Sequence, residues 1–248
     1  LSIIIDSYLV NRISYYDIKM IRIKILLLML FLALSHNALA MPVDGPVLPK
    51  KHKWRIGAQY TALFKKQMKR PKGDVKSDLY FTTLSYGLLD WFSLDFRLGA
   101  GNLTFSPKAG DAINYNTSFA GGYGFRIKAL EEAKSGLDLL CAFQHISIHP
   151  EPRTVDGIKN EIFLDDWQFS SVLSKGFKFL KPYLGVKYSK VTLSRRMSLR
   201  KDRKRAGSVD RIGMAAGLDI LISEDFICNV EGRFFDEEGL TAGLSYRF

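Results

Sequence analysis

Across most of residues 54–248 hydrophobic and polar positions alternate with a period of two. The pattern is cleanest at the end of the chain. Leu240, Ala242, Leu244, Tyr246 and Phe248 fall on one side of an extended segment, with Thr241, Gly243, Ser245 and Arg247 on the other. Successive side chains of a β-strand point to opposite faces, so this is a strand with one oily face and one small or polar face. The two preceding segments follow the same rule. Phe226, Cys228, Val230 and Phe234 oppose Asn229, Glu231 and Arg233, while Ile212, Met214, Ala216, Leu218 and Ile220 oppose Arg211, Gly213 and Asp219. Gly217, on the small face, is expected to accept serine more readily than Leu218 accepts arginine.

A two-layer soluble sandwich also alternates. What favours a closed barrel in lipid is the aromatic and leucine load on the apolar face, set against glycine in mid-strand on the other. Phe92, Leu94, Phe96 and Leu98 oppose Ser93, Asp95, Arg97 and Gly99. Phe119, Gly121, Tyr123, Phe125 and Ile127 oppose Ser118, Ala120, Gly122, Gly124 and Arg126. Interior glycine weakens a soluble strand, so its repetition points to crowding inside a narrow lumen.

Marked by this period, the strands cover 54–64, 78–90, 91–103, 116–129, 136–148, 161–175, 179–193, 209–222, 225–235 and 238–248. Ten is an even number, which returns both chain ends to one side, as single-chain bacterial barrels require. Connections alternate between short turns and longer loops at 65–77, 104–115, 149–160 and 194–208. The expected fold is therefore all-β, a transmembrane antiparallel up-and-down barrel of about ten strands. Lys190 resists the pattern: it would follow Leu184, Val186 and Tyr188 into lipid unless a bulge shifts the register.

The N-terminus changes the picture by assigning a compartment. From Met20 the chain shows a basic start (Arg22, Lys24), an apolar stretch from Ile25 to Leu34, and a polar segment ending Ala38-Leu39-Ala40. These are the three regions of a cleaved secretory signal, and the apolar stretch falls short of the roughly 20 residues that span a bilayer as a helix. The expected organisation is an upstream extension at 1–19, a signal peptide at 20–40, a periplasmic N-terminal tail at 41–53 and the barrel at 54–248. Removing residues 1–40 takes away four basic and two acidic residues and lowers the net charge from +11 to +9. On an exported protein that charge argues for lipid or lipopolysaccharide as partner and against nucleic acid. Cys141 and Cys228 are too few for a disulfide framework and read as apolar strand residues.

Two basic stretches carry the excess. Residues 194–208 hold Arg195, Arg196, Arg200, Lys201, Arg203, Lys204 and Arg205 against one acid, Asp202; residues 65–77 include Lys65, Lys66, Lys69 and Arg70. Charge runs often mark only a solvated loop. In external loops they would equally suit lipopolysaccharide phosphates or other polyanions, which guanidinium groups bind through paired, charge-assisted hydrogen bonds. Inside the barrel, Arg55, Asp95, Arg97, Arg126, Asp166, Arg211, Asp219, Glu231, Arg233 and Arg247 place both signs of charge, which must pair or stay hydrated. A barrel of ten strands is nearer the filled than the water-conducting end of the size range.

The ending GLTAGLSYRF, with Leu244, Tyr246 and Phe248 at alternate positions, resembles the β-signal through which the barrel assembly machinery recognises outer-membrane barrels. The stretches LSYGLLDWFSLDFRLGAGN (84–102), KPYLGVKYS (181–189) and NVEGRFFDEEGLTAGLSYRF (229–248) look like a group of uncharacterised outer-membrane β-barrel proteins of the porin-like and opacity-type kind. The resemblance implies a bacterial outer-membrane location and no reaction, substrate or cofactor.

Catalytic alternatives centre on His145, Ser147 and His149, which share a strand face. The His-x-Ser pair is similar to that of lipid A 3-O-deacylases, although Ile148 stands where that family usually has asparagine. Glu151 or Glu161 would have to orient the pair, and triads are defined by geometry rather than spacing. The same histidines could hold a metal. Asp165 and Asp166, being adjacent, point to opposite faces, which disfavours the acidic pair of omptin-type proteases. The expectation is a non-enzymatic outer-membrane barrel without metal or cofactor, serving envelope structure or surface interaction with at most weak porin-like permeability. The alternatives are a diffusion pore and an outer-leaflet enzyme such as a lipid A deacylase.

Overall fold

A computed structural model of the protein describes residues 42–248 except 71, 133, 156 and 198–203. The upstream extension and the signal peptide expected at 1–40 lie outside the described residues. The described part is all-β. Its strands are β1 (Trp54–Lys69), β2 (Lys72–Leu89), β3 (Phe92–Pro107), β4 (Ile113–Glu132), β5 (Leu137–Ile148), β6 (Arg153–Val155), β7 (Ile158–Lys175), β8 (Leu180–Met197), β9 (Lys204–Gly207), β10 (Ile212–Leu221), β11 (Phe226–Phe234) and β12 (Glu238–Arg247). Ten of these form a closed antiparallel barrel, with β7 paired to β8 and β12 returning to β1. The two short ones, β6 and β9, hang on β7 and β8.

The outward face is a belt of exposed apolar side chains. Phe96, Leu98, Phe119, Leu184, Ile212 and Leu244 all stand in the open, with Leu98 at 64% exposure and Ile212 at 66%. A water-soluble chain would not leave so continuous an apolar surface uncovered. Along β3 the belt runs from Phe92 to Ala100. Nine residues at a rise of about 3.3 Å and a tilt of about 40° span roughly 23 Å, close to the ~25 Å apolar band of an outer-membrane barrel. Aromatic rings mark both margins: Trp54, Tyr86 and Tyr246 at the end where the chain termini lie, and Tyr60, Tyr80, Tyr123 and Trp167 at the far end.

Beyond the far margin the structure departs from the expected loops. Among the described residues of 65–77, 104–115, 149–160 and 194–208 more than half are in strands, because β1, β2, β3, β4, β7 and β8 run 16 to 20 residues. Only about 9–11 residues of a tilted strand are needed to cross a membrane. Past that margin the alternation inverts instead of ending. Lys72, Asp74, Lys76 and Asp78 of β2 and Asn102 and Thr104 of β3 now face outward, while Val75, Leu79, Phe81, Leu103 and Phe105 face in. With Ile146, Ile148, Ile162, Leu164, Val191 and Leu193 they form one buried cluster in the far part of the barrel. The membrane barrel is thus continued by a barrel of soluble type. Lys190 falls in this zone, so it reaches solvent without a bulge, and the β7–β8 register is unbroken from Asn160 to Ser174.

Strands β10, β11 and β12 stop short, leaving a low place in the wall. There β9 folds back toward β1: Met68 bridges Ser208, and the Val209 N–H donates to the Gln67 carbonyl at 2.8 Å. The turn between β11 and β12 lies beneath this flap. Phe235 takes a positive φ of 76° and is 75% exposed, which turns the next two residues, Asp236 and Glu237, inward.

Candidate functional site

Two places concentrate chemistry: the lumen and the far rim. The lumen is filled in three tiers. The first is the segment expected to form a free periplasmic tail. Residues 42–49 instead enter the barrel from the terminal end and bond to its wall. Arg97 pairs with Asp44, Arg126 donates to the Gly45 carbonyl at 2.9 Å, and Arg55 donates to the Val47 carbonyl at 2.7 Å. The Val47 N–H reaches Asp219 at 3.2 Å, and the Val43 N–H reaches Glu231 at 2.9 Å. Val43 and Leu48 pack with Leu140, Val172, Tyr183 and Ala215. Five of the inward charges read from the sequence, Arg55, Arg97, Arg126, Asp219 and Glu231, therefore form the socket of a plug. Two small cavities, of about 50 and 10 Å³, lie beside it.

The second tier is an ion cluster. Lys66 Nζ lies 2.7 Å from Asp236 and 3.3 Å from Glu237 and donates to Ser189 Oγ at 2.9 Å; Lys187 Nζ lies 3.2 and 2.8 Å from the same two carboxylates. Arg233 Nε donates to Glu237 at 2.6 Å. All five side chains are at most 2% exposed. Gly213 makes the approach possible, since a Cβ there would sit 1.7 Å from Asp236 Oδ1. Glu237 belongs to the turn, outside the strands. Burial alone would raise its pKa, but the charges of Lys187, Lys66 and Arg233 more than offset this and hold it below the usual carboxylate range. The third tier is the apolar cluster of the far barrel.

At the rim the expected polyanion residues separate. A bulge between Leu63 and Lys65 reverses the parity of β1. Lys65 therefore points outward, 3.9 Å from Glu238, while Lys66 joins the ion cluster and is withdrawn from any external ligand. Arg195 is also turned in, half-buried and bonded to Asn160 Oδ1 at 2.9 Å. Lys69, Arg70, Lys204 and Arg205 are exposed, and Arg196 is exposed 3.9 Å from Glu161. Arg200, Lys201 and Arg203 lie outside the described residues. The flap of β9 against β1 brings the two basic stretches side by side, although 130 positions separate them. Arg211, expected in the lumen, leaves it: its guanidinium donates to the Tyr188 hydroxyl at 3.4 Å on the outer surface. Together with Lys69, Val209, Ile212 and Phe235 it lines an open groove above the low wall. Arg211 was misread because strand parity does not bind a side chain at the first position before a strand.

His145, Ser147 and His149 face outward at the far margin. The His145 ring stacks beside Trp167 at 4.1 Å and its Nδ1 is 3.0 Å from the Asp166 carbonyl. Ser147 Oγ lies 2.8 Å from His149 Nε2 and donates to Asp165 at 2.7 Å. The carboxylate thus sits on the serine, where it takes the proton a base should remove. A relay needs it on the far nitrogen of the imidazole. Neither Glu151 nor Glu161 contacts this pair. The arrangement is that of interfacial aromatic and polar side chains.

Leu244, Tyr246 and Phe248 share the outward face of β12, the strand that closes the barrel on β1. Trp54 and Phe248 exchange two backbone hydrogen bonds of 3.0 Å at the seam.

No protein-family model matches the sequence, and no curated protein matches it. Among solved structures the chain is similar to the translocator domain of the autotransporter NalP from Neisseria meningitidis (TM-score 0.46, 11% identity, 84% of this chain and 91% of that one). It is also similar to the outer membrane protease OmpT from Escherichia coli (0.44, 13%, 83% and 99%) and to the outer membrane protein OprG from Pseudomonas aeruginosa (0.41, 10%, 83% and 99%). At these identities and scores they add nothing to the geometry of this chain.

Proposed function

We propose that the protein is a non-enzymatic barrel of the bacterial outer membrane, sealed to solutes, which holds a rigid basic rim above the outer leaflet and binds lipopolysaccharide phosphates there. The observation that carries this reading is the inversion of the two faces along uninterrupted strands. It supports a lipid-facing belt at one level and a solvent-facing barrel, packed inside, at the next. The short turns and chain ends fit the periplasmic side and the extended strands the cell surface. The exported +9 charge fits an anionic surface. The filled lumen favours this reading over a diffusion pore.

Replacing Lys69, Arg196, Lys204 and Arg205 with glutamine is expected to lower the salt concentration at which the detergent-solubilised protein leaves a heparin column, with arginines contributing more than lysines. The β-sheet circular dichroism should be unchanged. Added salt should weaken the wild-type interaction as the screening length falls to about 8 Å at physiological strength. Unaltered elution of the variant would reduce the rim to a solvated surface.

For assembly, the terminal aromatic residue is read as a recognition element. Deleting Phe248 removes two seam hydrogen bonds, worth about 2 kcal/mol together. Refolded protein should therefore remain heat-modifiable on gels while membrane insertion in cells falls several-fold. Full insertion in cells would contradict the assembly role.

A further inference from the structure

The groove above the low wall joins two chemistries. Its floor belongs to the lipid belt: Ile212 is 66% exposed and pairs with Tyr188, which pairs with Phe169, one outward position below Trp167 of the far aromatic margin. Its upper wall is cationic. The Arg211 carbonyl accepts from the Ser189 N–H at 2.6 Å, which fixes this residue against β8, and its guanidinium donates to the Tyr188 hydroxyl. Lys69, at the end of β1, lines the same groove. Lys190 stands close by, since burial and, after it, the charge of Arg211 lower its pKa. Against these three cations, Asp210 is the one acid among the described lining residues, and no described carboxylate is ion-paired to Lys69 or Arg211. Phe235 closes the apolar side. Its φ of 76° lies in the left-handed region that a bulky side chain rarely adopts, and at 75% it is the most exposed of the described large apolar side chains. The groove holds about 840 Å³, within the range of roughly 300–1,000 Å³ common to small-ligand sites.

We propose that this groove seats the acylated, phosphorylated end of one lipopolysaccharide molecule, its phosphate held by Arg211 and Lys69 and an acyl chain lying on Ile212 and Phe235. A soluble polyanion would answer the cations and leave both apolar side chains bare. An uncharged acyl chain would cover Ile212 and Phe235 and leave the cations unanswered. An anionic lipid does both, through charge-assisted hydrogen bonds at its phosphate and apolar contact below it. The height is also right. Arg211 and Ile212 are consecutive, so the wall passes from phosphate-facing to acyl-facing within one residue, about 3.3 Å, at the level of the aromatic margin. The proposal rests on the rim's binding lipopolysaccharide: the rim meets the part of the ligand that stands above the leaflet, and the groove meets the part that enters it.

The test titrates the detergent-purified protein, washed free of lipid, with bisphosphorylated lipid A and reads the complexes by native mass spectrometry. The wild type should take up one molecule. Arg211→Gln should weaken uptake about tenfold, the loss expected for a charge-assisted pair. Phe235→Asn should weaken it about fivefold through lost apolar contact. Asparagine accepts left-handed backbone, so this variant should resist denaturant at least as well as the wild type, which separates a binding role for the ring from a structural one. Inorganic pyrophosphate in large excess should fail to displace lipid A. Displacement would mean that the site takes free phosphate, and would overturn the lipid assignment. Lipid A uptake by both variants equal to that of the wild type would overturn the groove. Replacing Arg196, Lys204 and Arg205 with glutamine, which leaves the groove intact, tests the rim separately on a heparin column. Earlier elution of this variant together with no lipid A uptake by the wild type would overturn the groove and keep the rim. Unaltered elution together with uptake that Arg211→Gln weakens would overturn the rim and keep the groove.

Discussion

Glu237→Gln is expected to cost about 3–5 kcal/mol, the usual penalty for breaking a buried ion group by removing one partner. The Glu237 side chain is 2% exposed and, among the described residues, is the only carboxylate within ion-pair distance of Lys66, Lys187 and Arg233 alike. Its neutral amide would leave those three cations facing Asp236 and Glu231. Denaturant unfolding in detergent, followed by gel migration of unheated samples, should show the loss. A double variant, Glu237→Gln with Lys187→Met, should recover part of it, because the surplus charge is withdrawn together with its partner. A loss below about 1 kcal/mol would mean that water reaches the cluster. The pH dependence follows from the depressed folded pKa: the contribution is complete above the unfolded carboxyl value of about 4.3 and is lost as pH falls toward the folded value. Acid should thus weaken the wild type below about pH 4, and Glu237→Gln should remove that part of the dependence.

Leu218→Arg places a cation on the lipid belt of β10, between Pro182 and Val230, and should cost about 2–3 kcal/mol. The expectation that serine at neighbouring Gly217 would be tolerated does not survive the structure. A Cβ at Gly217 would sit 2.2 Å from the ring of Tyr183, which is buried and held by hydrogen bonds to Glu231 and from Asn229. Gly217→Ser should therefore cost about 1–3 kcal/mol by overpacking. Tyr183→Leu in the same chain should offset part of that cost, and it should not rescue Leu218→Arg. A cost below about 1 kcal/mol for Leu218→Arg would mean that β10 has its faces assigned wrongly.

What could be read in advance followed from local periodicity. The three C-terminal strands carry an uninterrupted alternation, and their faces were assigned correctly up to Arg211. The tall far barrel escaped because β2 and β3 keep the period of two while exchanging the roles of the faces. A search for apolar-outward positions reads Lys72, Asp74 and Lys76 as the end of a strand. The parity of Lys65 and Lys66 depends on one bulge, which adjacent lysines do not announce. The plug was hidden for a different reason. Residues 42–49 have no period of their own, and the groups that hold them, Arg97, Arg126, Asp219 and Glu231, belong to four strands far along the chain. A tail and a plug look alike until those strands close. The Ser147–His149–Asp165 contact shows the converse: spacing placed the groups together, and only geometry revealed which atom faces which.

The uninterrupted strands have a mechanical consequence. Because β1, β2, β3, β7 and β8 pass from the lipid belt into the far barrel without a hinge, the rim turns and tilts only when the whole molecule does. A ligand seated there is held at a set height, roughly 15–20 Å above the lipid margin if the strands keep their rise and tilt. It is also held at a set bearing around the barrel axis, over the low wall beside Phe235. The protein behaves as a post and not as a tether, and neighbouring copies in one membrane would all present the basic edge at the same altitude.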